Sequence, residues 1–352
     1  MSSIAALILS ASLMIQPMST LDICVAGDNL IHSTVFKAGR TESGYNFDYM
    51  YEDIADTIRS YDLAIINQET PIVSEDMGYS GYPLFGSPKE IGDAVVNAGF
   101  DVVTCATNHT IDKGVDGLEY SYNYWKDKNI PALGIHKRTE SPITYITKNN
   151  ITLGMLNFTY GLNGLTLPEG SDYTVDLFDD KDAVKSSIEE AKANSDFVIV
   201  FAHWGTEYVY EPTTYQTELG QFLADAGADL IVGTHPHVIE PRDILTSVDG
   251  RIVPVYWSLG NFLSGQDEVP RMLGALADIK LLKLGDDVYC VGANVIPTVT
   301  HISSYSERFK IYLLDNYTEE LAGQHRLRRV RGSEMSLDAL KSLWSEVYEK
   351  KD

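Results

Sequence analysis

The sequence predicts a layered α/β fold on three observations. Short apolar runs alternate with amphipathic helical stretches, no internal repeat or low-complexity linker interrupts them, and beyond Phe262 the pattern changes to hairpin-like strands. The runs Asp22–Ala26, Leu63–Ile66, Val102–Cys105, Ile151–Leu156, Phe197–Phe201, Leu230–Val232 and Ile252–Trp257 read as short buried strands. Helices fall between them. Tyr215–Ala226 puts Leu219, Phe222, Leu223 and Ala226 on one stripe, at i, i+3, i+4 and i+7. Asp179–Ala193 is patterned in the same way, and so is Pro88–Ala98, which opens with proline in its first turn after Ser87. Ala277–Leu284 and Val288–Ile296 form the hairpin, and a last amphipathic helix runs over Ser336–Tyr348 with Leu337, Leu340, Trp344 and Val347 on one face. The organisation expected is a single domain over 21–265, with a C-terminal hairpin-and-helix extension over 266–352 packed on it.

A chain of 352 residues can bury a large core. Its 27 basic and 50 acidic residues leave a net charge of −23, which argues against nucleic acid as a partner and would repel an acidic polymer unless local cations intervene. Cys24, Cys105 and Cys290 lie far apart in apolar runs and read as buried thiols, with no cysteine or histidine nearby at metal-ligand spacing. Residues 1–20 allow two readings. Ile4–Ile15 is apolar, uncharged and about as long as the core of an export signal, yet too short to span a bilayer, and no lysine or arginine precedes it. It is either the remnant of a signal or anchor, or a first helix packed on the domain.

The polar residues fall at the ends of the strand-like runs: Gly27-Asp28-Asn29, Asn67-Gln68-Glu69-Thr70, Thr107-Asn108-His109-Thr110 with Asp112 and Gly114, His203-Trp204-Gly205-Thr206-Glu207, Gly233-Thr234-His235-Pro236-His237, and Ser258-Leu259-Gly260-Asn261-Phe262. In an open α/β sheet these ends border the crevice where ligands bind. Four of the 8 histidines sit at three such ends, so one shared site is the economical explanation. Imidazole, carboxylate and amide oxygen without thiolate suit a divalent Mn, Fe or Zn ion rather than a structural zinc. Two such ions roughly 3.5–4 Å apart, bridged by a carboxylate, can clamp a phosphoryl oxygen.

These motifs, in this order from about Asp22 to Gly265, resemble the CapA-type bacterial proteins of poly-γ-glutamate capsule synthesis, which are similar to calcineurin-like metallophosphoesterases. The resemblance implies an α/β/β/α sandwich holding one or two divalent ions. It implies Asp28 and His237 on the first ion, Glu69 as the bridge, and Asn108, His203 and His235 on the second. His109 would donate a proton to a leaving oxygen, with Asp112 orienting it. Glu207, Asn261 and His32 are further candidates for substrate contact. Two departures stand out: phosphoesterases carry Asp-x-His where this chain has Asp28-Asn29-Leu30, and Glu69 stands where aspartate is usual. His32 would have to swing in to replace the missing ligand.

Simpler roles exist for several of these residues. Asp112 and Gly114 suit a turn, Glu207 a solvated loop, and Trp204 core packing, while His136 and His301 lie off the motif pattern. The basic run His325–Arg331 reads as an exposed strand edge guarded by charge, or as a landing site for an acidic polymer or lipid headgroups. The leading expectation is a metal-dependent hydrolase or transferase at the cell envelope, acting on polyglutamate or a phosphate-bearing small molecule beside membrane-associated capsule machinery. A non-catalytic accessory subunit of a polymer synthesis or export complex is the second expectation, and a generic metallophosphodiesterase, cytoplasmic in that case, the third.

Overall fold

A computed structural model describes residues 18–304 and 308–348. The apolar stretch at 4–15 lies outside the described residues. Two sheets stack between helical layers. The first, 8-stranded, runs in the order Phe309–Leu313, Asp287–Ile302, Leu273–Leu284, Met18–Leu30, Leu63–Asn67, Val102–Thr104 and Ala132–Leu133, with Asn261–Ser264 also paired to Met18–Leu30. Met18–Leu30 is parallel to Leu63–Asn67 and antiparallel to Leu273–Leu284, so the C-terminal hairpin strands are an integral part of this sheet. The second, 6-stranded, runs Ile239–Thr246, Ile252–Leu259, Leu230–Thr234, Phe197–His203, Ile151–Thr159 and Thr144–Lys148.

The period-2 side-chain alternation of a strand explains the layering. Phe197, Ile199 and Phe201 enter one large core together with Ile23, Val25, Ile65 and Val103 of the first sheet. Val198, Val200 and Ala202 point the other way, into a second core beneath the helices Lys181–Asn194 and Thr214–Ala226. Met50, Ile54, Ile91, Val95, Leu118 and Trp125 bring the helices Asp48–Arg59, Lys89–Ala98 and Gly114–Asp127 onto the larger core. The result is the expected α/β/β/α sandwich.

Local chemistry sets the helix boundaries. Pro88 caps Lys89–Ala98, and Gly99 ends that helix in the left-handed conformation that glycine tolerates. Thr213 and Gln216 form a reciprocal capping box at Thr214–Ala226. The reading of His325–Arg331 as a strand edge is corrected: Arg326–Arg329 is a single 3-10 turn, anchored by a fully buried His325 whose Nδ1 accepts from the Leu327 amide at 3.1 Å. Leu327 fills the core there, so an apolar side chain overrides the strand reading. Cys24 and Cys105 are buried free thiols, and Cys290 is a half-buried one.

One buried acid makes stability depend on pH. Glu240 is fully buried; its Oε2 accepts from Gln216 Nε2 at 2.6 Å, and its Oε1 has no partner. Burial pushes its carboxyl up to about 8 from an ordinary value of 4.5. The folded state therefore holds a proton that the unfolded chain loses, and stability falls as pH rises from about 4.5 to about 8. Glu240→Gln should remove this dependence, gaining on the order of a few kcal/mol over wild type at pH 8 and little near pH 4.5. Melting temperatures of both proteins across that range check it; a gap that stays constant with pH would refute it.

Candidate metal centre

The parallel strands of both sheets deliver their carboxyl ends to one buried cluster. From the first sheet come Asp28, at the end of Met18–Leu30, Glu69, just past Leu63–Asn67, and Asn108, beyond Val102–Thr104. The second sheet supplies His203 at the end of Phe197–His203, and His235 and His237 just past Leu230–Thr234. All six are at most 3% exposed. His235 and His237 are set by an unusual backbone: their φ angles of 102° and 59° put both in the left-handed region. The His235 amide donates to Asp28 Oδ2 at 3.3 Å, tying this turn to the other sheet.

Two overlapping groups of ligand atoms result, each within 4.8 Å: Asp28, Glu69 and His237 in one, and Glu69, His203 and His235 in the other. Glu69 is common to both. His237 Nδ1 lies 3.1 Å from Asp28 Oδ2, and its Nε2 lies 3.6 Å from Glu69 Oε1. His203 Nε2 is 2.9 Å from Asn108 Oδ1 and 3.9 Å from Glu69 Oε1, while its Nδ1 is 3.0 Å from Thr234 Oγ1. Asn67 Nδ2 donates to Asp28 Oδ1 at 2.8 Å, which leaves Oδ2 facing the histidines.

The electrostatics suit a cation. Both Glu69 oxygens are buried without any hydrogen-bond partner, and so is His235 Nδ1. Burial, followed by the charges of Asp28, Glu207 and Asp112, holds the Glu69 carboxyl well above the usual carboxylate range. Burial, then neighbouring histidines, holds His203 and His235 far below the usual imidazole range, so both are neutral, the form that binds metal. A buried carboxylate without donors is costly unless a cation meets it. The residues present therefore fit one or two divalent ions.

His109 and Asp112 stand beside this cluster. His109 Nδ1 is 2.7 Å from Asp112 Oδ2, which also accepts from the Phe85 amide at 2.7 Å, and the Phe85 ring meets His109 edge-on at 4.6 Å. The imidazole is thus held from two sides, with Nε2 left for chemistry. His32 belongs to neither ligand group. Its Nδ1 lies 3.3 Å from both the Leu30 carbonyl and the Gly265 amide, and its ring lies against Phe85. Burial, then His237, lowers its pKa to about 4. Asn29 offers no substitute ligand, since its amide bonds Gln68 and Tyr51. Glu207 is exposed on the loop after His203, near enough for its charge to act on Glu69. Asn261 is fully buried, and its Nδ2 donates to the carbonyls of His237 and Arg271 and to Gln266 Oε1. Its Nδ2 thus braces the His237 turn, while its Oδ1 is buried without a partner.

Sequence reasoning missed Tyr160 and Asn163. Tyr160 lies against His235 with ring centroids 4.7 Å apart, and the strand-end rule would have found it just past Ile151–Thr159. Asn163 accepts from Asn108 Nδ2 at 3.2 Å, from a turn that carried no such signal.

The family described as bacterial capsule synthesis protein PGA_cap matches residues 22–266. A PGA biosynthesis protein CapA from Bacillus subtilis is 32% identical over 200 residues, covering 56% of this chain and 51% of its own length. A capsule biosynthesis protein CapA from Bacillus anthracis is 29% identical over 232 residues, covering 63% and 55%. The chain thus spans about half the length of these curated relatives. Among solved structures, a phosphatase from Mycoplasma pneumoniae superposes with a TM-score of 0.51 at 16% identity, covering 80% of this chain and 95% of that one.

Proposed function

This chain belongs to the PGA_cap family of bacterial capsule synthesis proteins, and we propose that it is a metal-dependent hydrolase or transferase of capsule or poly-γ-glutamate synthesis, working at the cell envelope on an anionic polymer or a phosphate-bearing intermediate. The observation that carries this reading is Glu69, a carboxylate buried without donors and shared by two ligand groups. Asp28, Glu69 and His237 would hold one ion, and Glu69, Asn108, His203 and His235 the other. Bound divalent metal supplies Lewis-acid polarisation of a phosphoryl or acyl oxygen and an activated water. The chain's own groups do the rest. His109 Nε2 carries a proton toward the leaving oxygen, Asp112 fixes the imidazole through Nδ1, and Phe85 and Tyr160 wall the cleft against water. No helix among the described residues is long and apolar enough to cross a membrane. Envelope placement rests on what the relatives' names say of capsule synthesis.

A second reading, that of a non-catalytic accessory subunit in polymer synthesis or export, is favoured by the first ligand group. Leu30 is a buried core residue where phosphoesterases place histidine, and His32 is turned to the backbone. Elemental analysis of protein purified without chelator separates the two. Near-stoichiometric Mn, Fe or Zn in wild type, at least halved in His235→Ala, supports the hydrolase and should accompany turnover of phosphoester or polyglutamate substrates. Protein that stays empty after incubation with each metal would sink that reading in favour of the accessory one.

A further inference from the structure

At the mouth of the cleft the loop after His203 carries Tyr208, whose ring centroid is 6.0 Å from that of His237. Tyr208 holds a left-handed φ of 65°, unusual for an aromatic residue, with its amide donating to the Pro236 carbonyl at 2.8 Å. Gln266 Nε2 donates to its phenol oxygen at 3.1 Å. The Arg271 guanidinium lies 3.7 Å from the centroid of the same ring. Backbone strain of this kind persists only where surrounding contacts enforce it.

We propose that Arg271, laid on Tyr208, is a binding subsite for an oxyanion that the substrate carries away from its reacting group, either a carboxylate or a phosphate. The inference rests on the proposed function for the neighbouring cluster. A guanidinium stacked on an aromatic ring is pre-oriented and presents its planar edge to an oxyanion. Arg271 Nε is buried without a partner, and Nη2 donates to Glu268 Oε1 at 2.8 Å. The Arg271 side chain is 16% exposed and that of Glu268 61%, so the acid is the partner on the solvent side, where a ligand oxygen can take its place. Asn261 Nδ2 donates to the carbonyl of Arg271 at 3.0 Å and to that of His237 at 3.2 Å, so one amide fixes the spacing between this cation and a candidate metal ligand. Charge supplies the need. The protein carries −23, and Asp28, Glu69, Asp112 and Glu207 crowd the cleft, so a polyanion requires positive charge beyond that of the metals.

The test uses the full chain incubated with Mn²⁺, a fluorescent γ-linked glutamate decamer, and inorganic phosphate as probes. Wild type, Arg271→Gln and Arg271→Lys are compared by anisotropy and calorimetry, with metal content and melting temperature recorded for each. The expected result is about tenfold weaker binding of at least one probe in Arg271→Gln, a smaller loss in Arg271→Lys, and unchanged metal content. Loss confined to the decamer identifies a carboxylate ligand, and loss confined to phosphate identifies a phosphate one. Equal binding by wild type and Arg271→Gln, or no binding of either probe to wild type, overturns the proposal. Metal-free wild type would overturn the hydrolase reading instead, and the comparison across Arg271 variants would still decide the subsite.

Discussion

Glu69→Gln is expected to make the metal-free protein more stable and to abolish the stability that wild type gains from metal. Two forces of opposite sign meet at this side chain. Without an ion, its carboxyl is buried, lacks partners and faces Asp28, so an amide, which need not take up a proton to stay neutral there, relieves a cost on the order of 1–3 kcal/mol. With an ion, the same carboxylate serves both ligand groups, and its loss should weaken metal binding by a hundredfold or more. Saturating metal at about a thousand times its dissociation constant adds roughly 4 kcal/mol to wild type. Melting curves with EDTA and with Mn²⁺ or Zn²⁺ therefore should cross: the variant melts higher in chelator and lower in metal. An equal metal-induced shift in both proteins would remove Glu69 from the site.

Gly233→Ala should cost more than about 4 kcal/mol, enough to leave little folded protein. A Cβ there would come within 2.0 Å of the Trp257 carbonyl oxygen and 2.5 Å of Trp204 Nε1. Neither can retreat, because Trp204 Nε1 donates to that same carbonyl at 2.9 Å and both indoles are packed in the second core. Leu230–Thr234 is also paired in parallel with Ile252–Leu259 at this point, and spreading them would displace His235 and His237. Gly250→Ala is the control: its φ of 85° imposes strain but nothing stands near it, so about 1 kcal/mol is expected. Denaturant midpoints for the two variants test the contrast, and similar losses would mean that the sheet yields at Gly233.

The parallel strands and their polar ends were legible because continuous apolar runs and clustered histidines leave few alternatives. The helices Asp48–Arg59 and Gly114–Asp127 were not read. The first buries Met50, Tyr51, Ile54, Ala55 and Ile58 between acidic neighbours, and the stripe of the second is written partly in aromatic residues, Leu118, Tyr122 and Trp125. Met18–Leu30 runs past Ala26 through polar Asp28 and Asn29 because its end pairs with Asn261–Ser264 and its polar side chains are hydrogen-bonded to Asn67 and Gln68. Which oxygen of Asp28 faces the histidines, and that Asn261 Nδ2 braces the His237 turn, depend on contacts between strands remote in sequence. Local pattern has no access to these. Resemblance named Glu69 as a bridge; that both its oxygens lack partners is a property of the folded chain.

The pairing of Met18–Leu30 with Leu273–Leu284 bears on how the protein is made. A strand near the beginning of the chain keeps one edge bare until some 250 residues later the ribosome delivers its neighbour. Meanwhile the whole second sheet, residues 144–259, can form from contiguous sequence. Were that sheet to form first, its histidines would be in place before the carboxylates of the first are locked opposite them. Metal acquisition would be a late event in biosynthesis, and nascent chains halted before residue 273 should expose an unpaired edge and depend on chaperones.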